Sequence, residues 1–337
     1  MILTHPSDIA QTTPTGGAIA RIVSSSYALG DIQYCMLLKR GINHVYELRF
    51  GNGQRAVARL CADRSRGQPN IDYESAFLAH VKAAGVPVAN VLMSRQEAPA
   101  VEVALPEGTR MLMLFEYLDG DLPGESLPDI EATGRGLAQL HEAGQNYSGP
   151  GSRYMLELPQ LLHASFESLV SIPTIDDALR VDFSGIVQRL DARISSMSGL
   201  TRVNCHGDCH GGNNLVADGP DGTRVASFFD FDDAGPGLLA YELGVYLWNM
   251  LLGHGGGELD AEAHERWSRF ISSYRSIRPI ESADFEAIAA CVSVRQFWQM
   301  AEYANLMKIW GTQAMTTKWL RGQVRLLTAW EALKTPD

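Results

Sequence analysis

The stretch that decides the fold is residues 204–237, NCHGDCHGGNNLVADGPDGTRVASFFDFDDAGPG. Glycines recur in its first part and resist helix formation, so we expect Asp208 to lie on a loop. The segment NNLVA then leads through the turn ADGPDG into RVASFFDF, which is the pattern of a β-hairpin. The sequence therefore predicts a polar loop followed directly by two short antiparallel strands.

The predicted hairpin brings three oxygen-bearing side chains to one end. If its turn is centred near residue 220, residues whose numbers sum to about 440 face each other, which places Asn213 opposite Ser227. Asp230 follows just past the same end, so Asp208, Asn213 and Asp230 should lie within roughly 10 Å of one another. Mg²⁺ prefers oxygen ligands and usually takes one or two carboxylates plus substrate phosphates. We expect Asn213 and Asp230 to bind the metal and Asp208 to accept a proton from an attacking hydroxyl.

The same segment contains residues that other metal sites use. A zinc site would draw on Cys205, His206, Asp208, Cys209 and His210, but no second cluster completes four tetrahedral ligands. A calcium loop of the EF-hand type needs regularly alternating acids and a terminal Glu, which DCHGGNNLVADG lacks. We therefore expect the two histidines to organise the loop.

The first third of the chain reads as short strands with one helix among them. In IDYESAFLAHVKAAG, residues 71–85, apolar side chains recur at helical spacing, and Gly51-Asn52-Gly53 is a tight hairpin turn. Strands of an antiparallel sheet are expected at residues 27–40, 43–50, 55–61, 86–94 and 109–118.

The pattern changes from strands to helices after Gly120. LPDIEATGRGLAQLHEAG is a helical segment, and helical patterns run from Leu239 to the end of the chain. We place the boundary between residues 116 and 122 and expect two domains, residues 1–117 and 118–337. The fold class predicted from these patterns is α+β, with an antiparallel sheet and one helix in the first domain and mostly helices in the second.

Composition excludes several classes of protein. The chain has 337 residues, 45% of them hydrophobic, and 28 Lys and Arg against 39 Asp and Glu give a net charge of −11. This acidic balance argues against a nucleic-acid partner, which needs a clustered cationic surface. Five scattered cysteines argue against a disulfide framework. The start lacks the pattern of a signal peptide, and no apolar run approaches the ~20 residues that span a bilayer, so we expect a cytoplasmic protein without a membrane partner.

Two motifs carry a resemblance to a known family. HGDCHGGN, from His206 to Asn213, and FFDFDDAGPG, from Phe228 to Gly237, resemble the aminoglycoside phosphotransferase family. That family also holds choline kinases, type II homoserine kinases and the bacterial stress-response kinase. The resemblance implies a protein-kinase-like bilobal fold, ATP and Mg²⁺ as cofactors, Asp208 as catalytic base, and Asn213 and Asp230 as metal ligands. Glu242 stands where the family usually has Asp and is expected to tether the catalytic loop.

The resemblance also gives roles to residues of the first domain, which would bind the nucleotide. Glu74 falls on the sheet-facing side of its predicted helix and needs a cationic partner, and Arg59 is the natural one. Kinases use Lys and Glu there to hold the α- and β-phosphates, so Arg59 departs from the pattern. The glycine-rich loop is reduced to Gly41, and the turn that begins at Asn43 resembles the family's version. The adenine-binding hinge would contain Phe115, Glu116 and Tyr117.

The acceptor is expected to contact the helical domain. Arg295, Trp298, Tyr303 and Asp232 are the candidate substrate residues, although buried aromatic residues are more often core. Asp232 and Asp233 could equally be solvated acids or caps of the helix that begins near Leu238. For a small acceptor we expect an enclosed pocket, because an open cleft orients few atoms poorly.

The sequence leaves four functions open. A phosphotransferase acting on a small-molecule hydroxyl (an amino alcohol, amino acid, sugar or aminoglycoside-like compound) fits the motifs best. A protein Ser/Thr kinase like the stress-response kinase shares them, but only about ten residues separate Asp230 from the next helix, too few for a long activation segment. A nucleotide-binding pseudokinase is suggested by Arg59 and the reduced glycine loop. A metal-dependent hydrolase would leave Glu74 unexplained.

Overall fold

The computed structural model describes residues 5, 8–62, 64 and 68–337. Contacts between residues divide the chain into two units. The N-terminal unit is Met1–Ala83 with Val88–Leu118, and the C-terminal unit is Ala84–Pro87 with Asp119–Asp337. The first is built around an antiparallel sheet and the second is mostly helical, so the predicted α+β class and bilobal fold are confirmed. Among the described residues, no helix is both long enough and apolar enough to cross a bilayer.

The N-terminal unit is a twisted sheet covered by helices. Its strands are hydrogen-bonded in the order β1-β2-β3-β6-β4, and β5 also pairs with β6. The elements are α1 (Gly16–Ser26), β1 (Ile32–Arg40), β2 (His44–Phe50), β3 (Arg55–Leu60), α2 (Ile71–Ala83), β4 (Val91–Leu92), β5 (Ala100–Leu105) and β6 (Gly108–Glu116).

Two elements of this unit were not predicted, so the expectation of a single helix was wrong. Helix α1 begins after Thr15, whose hydroxyl accepts a hydrogen bond from the amide of Ala18 at 3.3 Å, and it buries Ile19 and Val23 against the sheet. Strand β5 pairs with β6 through a turn at Gly108, whose φ of 139° favours glycine. The strand expected at residues 86–94 is reduced to the two residues of β4.

The C-terminal unit packs its helices around a buried pair. Helix α6 lies against α8, and Gly244 allows the close approach, because a Cβ there would lie 3.0 Å from the Cβ of Cys291. The elements are α3 (Leu127–Gly144), a π-helix (Pro159–Ala164), α4 (Ser165–Val170), α5 (Asp177–Ser195), β7 (Arg202–Cys205), β8 (Asn214–Asp218), β9 (Arg224–Phe228), β10 (Gly235–Leu238), α6 (Leu239–Gly253), α7 (Ala261–Arg275), α8 (Ser282–Asn305), α9 (Met307–Trp310) and α10 (Thr317–Trp330).

The predicted hairpin exists, but its register was wrong. Strands β8 and β9 pair Leu215 with Ser227, so Ser227 does not face Asn213. The backbone carbonyl of Asn213 instead accepts from the amide of Phe229 at 3.0 Å. The reason is the turn, which is closed by a 2.7 Å hydrogen bond from Gly219 to Thr223 and is therefore centred one residue later than expected. Strand β7 pairs with β10, which places the loop after β7 beside the loop after β9.

Candidate active site

Glu242 on α6 accepts hydrogen bonds from two backbone amides of the loop after β7. One carboxylate oxygen of Glu242 accepts from the backbone amide of His206 at 3.2 Å, and the other accepts from that of Gly207 at 2.9 Å. Glu242 is fully buried, and burial raises its pKa to about 7, although the two amides oppose this shift. Glu242 thus tethers the loop after β7, as expected.

The ring of His206 connects this loop to the strand that leads to Asp230. Its Nε2 lies 2.9 Å from the carbonyl oxygen of Phe229, and its Nδ1 accepts from the amide of Asp208 at 3.3 Å. Burial lowers the pKa of His206, which favours the neutral ring with its proton on Nε2. A neutral ring of this tautomer satisfies both contacts, so His206 organises the loop as expected.

Two backbone positions in the left-handed region shape the site. Gly207 has a φ of 86°, and a Cβ there would lie 2.2 Å from the carbonyl oxygen of Asp233, so only glycine allows this approach. Asp230 has φ 64° and ψ 60°, directly before the 3₁₀ turn Phe231–Asp233. A non-glycine residue held in this region costs on the order of 1–3 kcal/mol, and such positions concentrate at functional sites.

Asp208 is held by contacts to both of its carboxylate oxygens. Oδ1 accepts from the Nη2 of Arg295, and Oδ2 accepts from the side-chain amide of Asn213 at 2.9 Å. Burial alone would raise the pKa of Asp208, but the positive charge of Arg295, helped by the hydrogen bond from Asn213, outweighs it and the pKa lies below its ordinary value. The side chain keeps 20% of its surface exposed, so a carboxylate remains within reach of another molecule.

Asn213 uses its amide nitrogen as a donor and leaves its amide oxygen for another partner. Its nitrogen donates twice to Asp208, to the carboxylate at 2.9 Å and to the backbone carbonyl at 3.0 Å, which turns the amide oxygen away from that residue. Asp230 comes directly after Phe229, whose amide donates to the backbone carbonyl of Asn213 at 3.0 Å, and amide and carboxylate oxygens are donors that suit Mg²⁺. No group of three His, Cys, Asp or Glu side chains forms a metal cluster in the described parts of the chain. Two protein oxygens fit a metal that completes its ligands with phosphate and water.

Cys205 and Cys209 lie in the interior and are poor candidates for ligands or nucleophiles. Both are buried, and burial raises the pKa of each thiol well above its ordinary value. A thiol rather than a thiolate is therefore present near neutral pH. Since the described residues contain no group of three His, Cys, Asp or Glu side chains that could hold a metal, the alternative of zinc at this loop gains no support.

The predicted substrate residues occupy different environments in the C-terminal unit. Arg295 is 2% exposed and pairs with Asp208, so it faces the base and not solvent. The ring of Trp298 lies over the Arg295 guanidinium at 4.1 Å. Tyr303 is half-buried and meets Trp310 edge-on at 5.6 Å. Whether these residues contact an acceptor stays a prediction.

Two of the alternatives for Asp232 and Asp233, solvated acids and helix caps, were wrong, while a substrate contact by Asp232 stays a prediction. They are 5% and 6% exposed, so they are not solvated acids. Neither caps the following helix, because its N-cap position is Leu238, which makes no side-chain capping bond. The hydroxyl of Tyr154 donates to the backbone carbonyl of Asp232 at 2.9 Å and holds this turn in place.

In the N-terminal unit, Arg59 and Glu74 form the expected pair. The guanidinium donates to both carboxylate oxygens, at 2.9 and 2.5 Å, and the two side chains are only 4% and 1% exposed. The same guanidinium lies 4.9 Å from the centre of the Phe115 ring. Phe115 therefore packs against the ion pair, and the pair is a rigid, buried unit.

The remaining predicted nucleotide residues have identified local partners. The side chain of Asn43 accepts from the amide of Ala62 at 2.9 Å, which ties the turn after Gly41 to the end of β3. Glu116 forms a partly exposed ion pair with Lys82, with one contact of 2.6 Å. The ring of Tyr117 lies beneath the guanidinium of Arg55, 3.4 Å from its centre.

One aromatic residue beside Arg295 was not predicted from the sequence. Trp248 on α6 lies 4.9 Å from the Arg295 guanidinium, on which Trp298 also stacks. The residues are far apart in the sequence and share no motif. Nothing in the local pattern around Trp248 distinguishes it from an ordinary core residue.

The chain is similar to proteins of known family and, in part, of known activity. It is 31% identical to an uncharacterized protein of Deinococcus radiodurans over 93% of this chain and 89% of that one. It is 25% identical to stress response kinase A of Salmonella choleraesuis over 83% of this chain and 80% of the relative.

A solved structure and a family model agree with these relatives. Amicoumacin kinase hAmiN in complex with AMP-PNP, Ca²⁺ and Ami has the same fold, with a TM-score of 0.73 and 18% identity over 94% of this chain and 92% of that one. The model of the phosphotransferase enzyme family, APH, matches residues 37–280. Because this match spans most of the chain and includes both motifs of the site, the protein belongs to the APH phosphotransferase enzyme family.

Proposed function

We propose that this protein is an ATP- and Mg²⁺-dependent phosphotransferase that moves the γ-phosphate to a hydroxyl group of a small molecule. One observation carries the proposal. The amide nitrogen of Asn213 donates to the carboxylate of Asp208, so the same side chain would orient the base and, through its remaining oxygen, offer a ligand to the metal. Phosphoryl transfer depends on this kind of positioning, since the protein itself contributes little covalent chemistry.

The proposed roles follow from the atoms each residue presents. Asn213 and Asp230 would hold Mg²⁺, which, when bound, offsets negative charge on the phosphate oxygens. Asp208 would accept the hydrogen bond of the acceptor hydroxyl and take its proton late in the reaction. Arg59, fixed by Glu74, would contact the nucleotide phosphates. The left-handed backbone of Asp230 supports its assignment, because strain at this position is consistent with a functional constraint.

Measurement of ATP turnover with a panel of acceptors tests the proposal. Amino alcohols, amino acids, sugars and aminoglycosides are each offered with ATP and Mg²⁺. Asp230→Asn should abolish ATP turnover. Asn tolerates the left-handed backbone as Asp does, but its side chain lacks the negative charge that binds the metal. Asn213→Ala should likewise abolish turnover. Asp218→Asn is the matched control, since this aspartate lies in the same hairpin with 74% of its side chain exposed and should change nothing.

The result that contradicts the proposal is specific. If ATP turnover persists undiminished in excess chelator, the reaction does not need a metal, and the roles proposed for Asn213 and Asp230 are wrong. Asp208→Asn should keep ATP affinity and lose about 10²–10⁴-fold in turnover, as expected for a general base. Loss of ATP affinity in that variant, measured by calorimetry, would assign Asp208 to nucleotide binding.

A protein acceptor is the second candidate, favoured by the similarity to stress response kinase A. The two candidates differ in what Trp298 would do. For a small acceptor, this ring is a wall of the binding site, and Trp298→Ala should raise the acceptor's KM. Efficient phosphorylation of generic Ser/Thr proteins, with no small hydroxyl compound competing, would favour the protein kinase instead.

A further inference from the structure

The contact between Arg295 and Asp208 joins positions 87 residues apart. Arg295 is on α8, and its Nη2 donates to Oδ1 of Asp208. Only 2% of the Arg295 side chain is exposed. A side chain so enclosed acts through the groups that it contacts, which include the Asp208 carboxylate and, at 3.5 Å, the backbone carbonyl of Gly207.

The Arg295 guanidinium lies against two indole rings. Trp298 lies 4.1 Å from it and Trp248 lies 4.9 Å from it, which holds its plane by cation–π contacts. Trp248 is itself held, because its Nε1 donates to the side chain of Gln296 at 2.6 Å. Gln296 in turn donates to Gln323 on α10 at 2.7 Å. Contacts among three helices thus fix the direction from which Arg295 reaches the base.

Two donors then define the orientation of the Asp208 carboxylate. Arg295 donates to Oδ1, and Asn213 donates to Oδ2 at 2.9 Å. A single donor would leave the carboxylate able to rotate about its terminal bond, since that torsion is broad. Two donors from different elements remove this freedom. The remaining lone pairs of the carboxylate oxygens then have fixed directions, which a hydroxyl group needs in order to donate its proton.

We propose that Arg295 is a positioning residue that holds the Asp208 carboxylate in the orientation needed to accept the hydroxyl proton. The role rests on the proposed function of Asp208 and goes beyond it, because it assigns the orientation of the base to a residue outside both sequence motifs. Lysine cannot replace arginine in it. An ammonium group is a compact point donor and lacks the flat, forked donor geometry of a guanidinium.

The experiment uses the full chain and compares Arg295→Lys and Arg295→Met with the wild type. The reaction measured is slow hydrolysis of ATP with Mg²⁺, with water as the acceptor, so that no acceptor need be identified. We expect turnover to fall about 10–100-fold in both variants, the range seen when partners that orient reacting groups are removed, with KM for ATP unchanged within twofold. Arg266→Lys is the control, because this arginine is 13% exposed and its ion pair is with Glu125 and not with Asp208.

Chemical rescue distinguishes positioning of Asp208 from a purely structural role of Arg295. In Arg295→Ala, added guanidinium at low millimolar concentration should restore part of the hydrolysis, because it can donate to Asp208 from the vacated space. The same addition should not change the wild type. Equal turnover in wild type and Arg295→Lys, or a fall caused wholly by a higher KM for ATP, would overturn the inference.

A crystal structure of Arg295→Met gives a readout that does not depend on activity. The Asp208 side chain should leave its wild-type orientation while the backbone of the loop, held by Glu242, stays in place. An unchanged Asp208 orientation would overturn the inference even if the wild type hydrolyses no ATP. The absence of ATP turnover in the wild type, together with a displaced Asp208 in the variant, would count against the proposed function alone.

Discussion

Removal of either partner of the Arg59–Glu74 pair should destabilise the N-terminal unit more than removal of both. The pair has two short contacts, 2.9 and 2.5 Å, and its side chains are 4% and 1% exposed. Breaking a buried pair leaves an uncompensated charge and costs about 3–5 kcal/mol, whereas replacing both partners by apolar residues is often close to neutral. Arg59→Met and Glu74→Leu should therefore each cost about 3–5 kcal/mol, and the double variant about 0–2 kcal/mol.

The corresponding coupling energy is at least about 4 kcal/mol, above the ~0.5–3 kcal/mol that contacting residues usually show, because both charges are buried. Native-state hydrogen exchange at the amides of α2 and β3 is the appropriate assay, because it reports the unit that contains the pair and does not require two-state unfolding of the whole chain. Lys82 and Glu116 provide the control cycle. Their side chains are 42% and 35% exposed, so coupling there should stay below about 1 kcal/mol.

ATP affinity, measured by calorimetry on the same variants, separates packing from phosphate binding. If Arg59 contacts the phosphates, the double variant should recover stability but not ATP affinity. Strictly additive stabilities would refute the argument from burial. A double variant that binds ATP as tightly as the wild type would refute the phosphate role and leave the exposed Lys39 of β1 as an alternative cation.

Three further outcomes are expected. Gly207→Ala should destabilise the loop that carries Asp208 and lower turnover, because the added Cβ would lie 2.2 Å from a backbone oxygen. Gly211→Ala has its nearest neighbour at 3.8 Å and should cost only the backbone strain of about 1–2 kcal/mol. Thermal unfolding of the two variants measures this difference. The folded-state pKa of Glu242 is raised from 4.5 to about 7, so the native state binds the extra proton and the free energy of unfolding should fall as pH rises through this window, by up to about 3 kcal/mol. Glu242→Gln should remove that slope in urea titrations between pH 5 and 7, and an unchanged slope would mean that another group titrates. Asp176→Ala should cost about 1 kcal/mol in the same titrations through loss of the α5 cap, since its carboxylate accepts from the amide of Leu179 at 2.8 Å, and should leave turnover unchanged.

Local patterns in the sequence predicted the elements that carry the chemistry. The glycines around Asp208 exclude a helix there, and the turn residues and β-forming runs that follow are enough to specify a hairpin. The helical spacing in residues 71–85 predicted α2, and Glu74 could be placed on its inner face from periodicity. These features depend on residues within about ten positions of each other, where backbone sterics and side-chain spacing act directly.

Features with weak local signals were missed or misplaced. The turn of the hairpin contains two glycines and a proline, so more than one centre is compatible with the sequence, and the hydrogen bond from Gly219 to Thr223 selects a register the pattern did not specify. Helix α1 begins with two glycines, which lower helix propensity, and its stability comes from burying Ile19 and Val23 against the sheet.

Only the tertiary structure decided how the base is held. Sequence motifs identify Asp208 and Asn213, but Arg295 and Trp248 have no motif, and each would be an ordinary residue on an isolated helix. They meet because α6 and α8 pack closely at Gly244, which presents one face of each helix to the catalytic loop. Which faces meet depends on the burial of all the helices together, so long-range contacts of this kind are set by the whole core and not by the sequence near either residue.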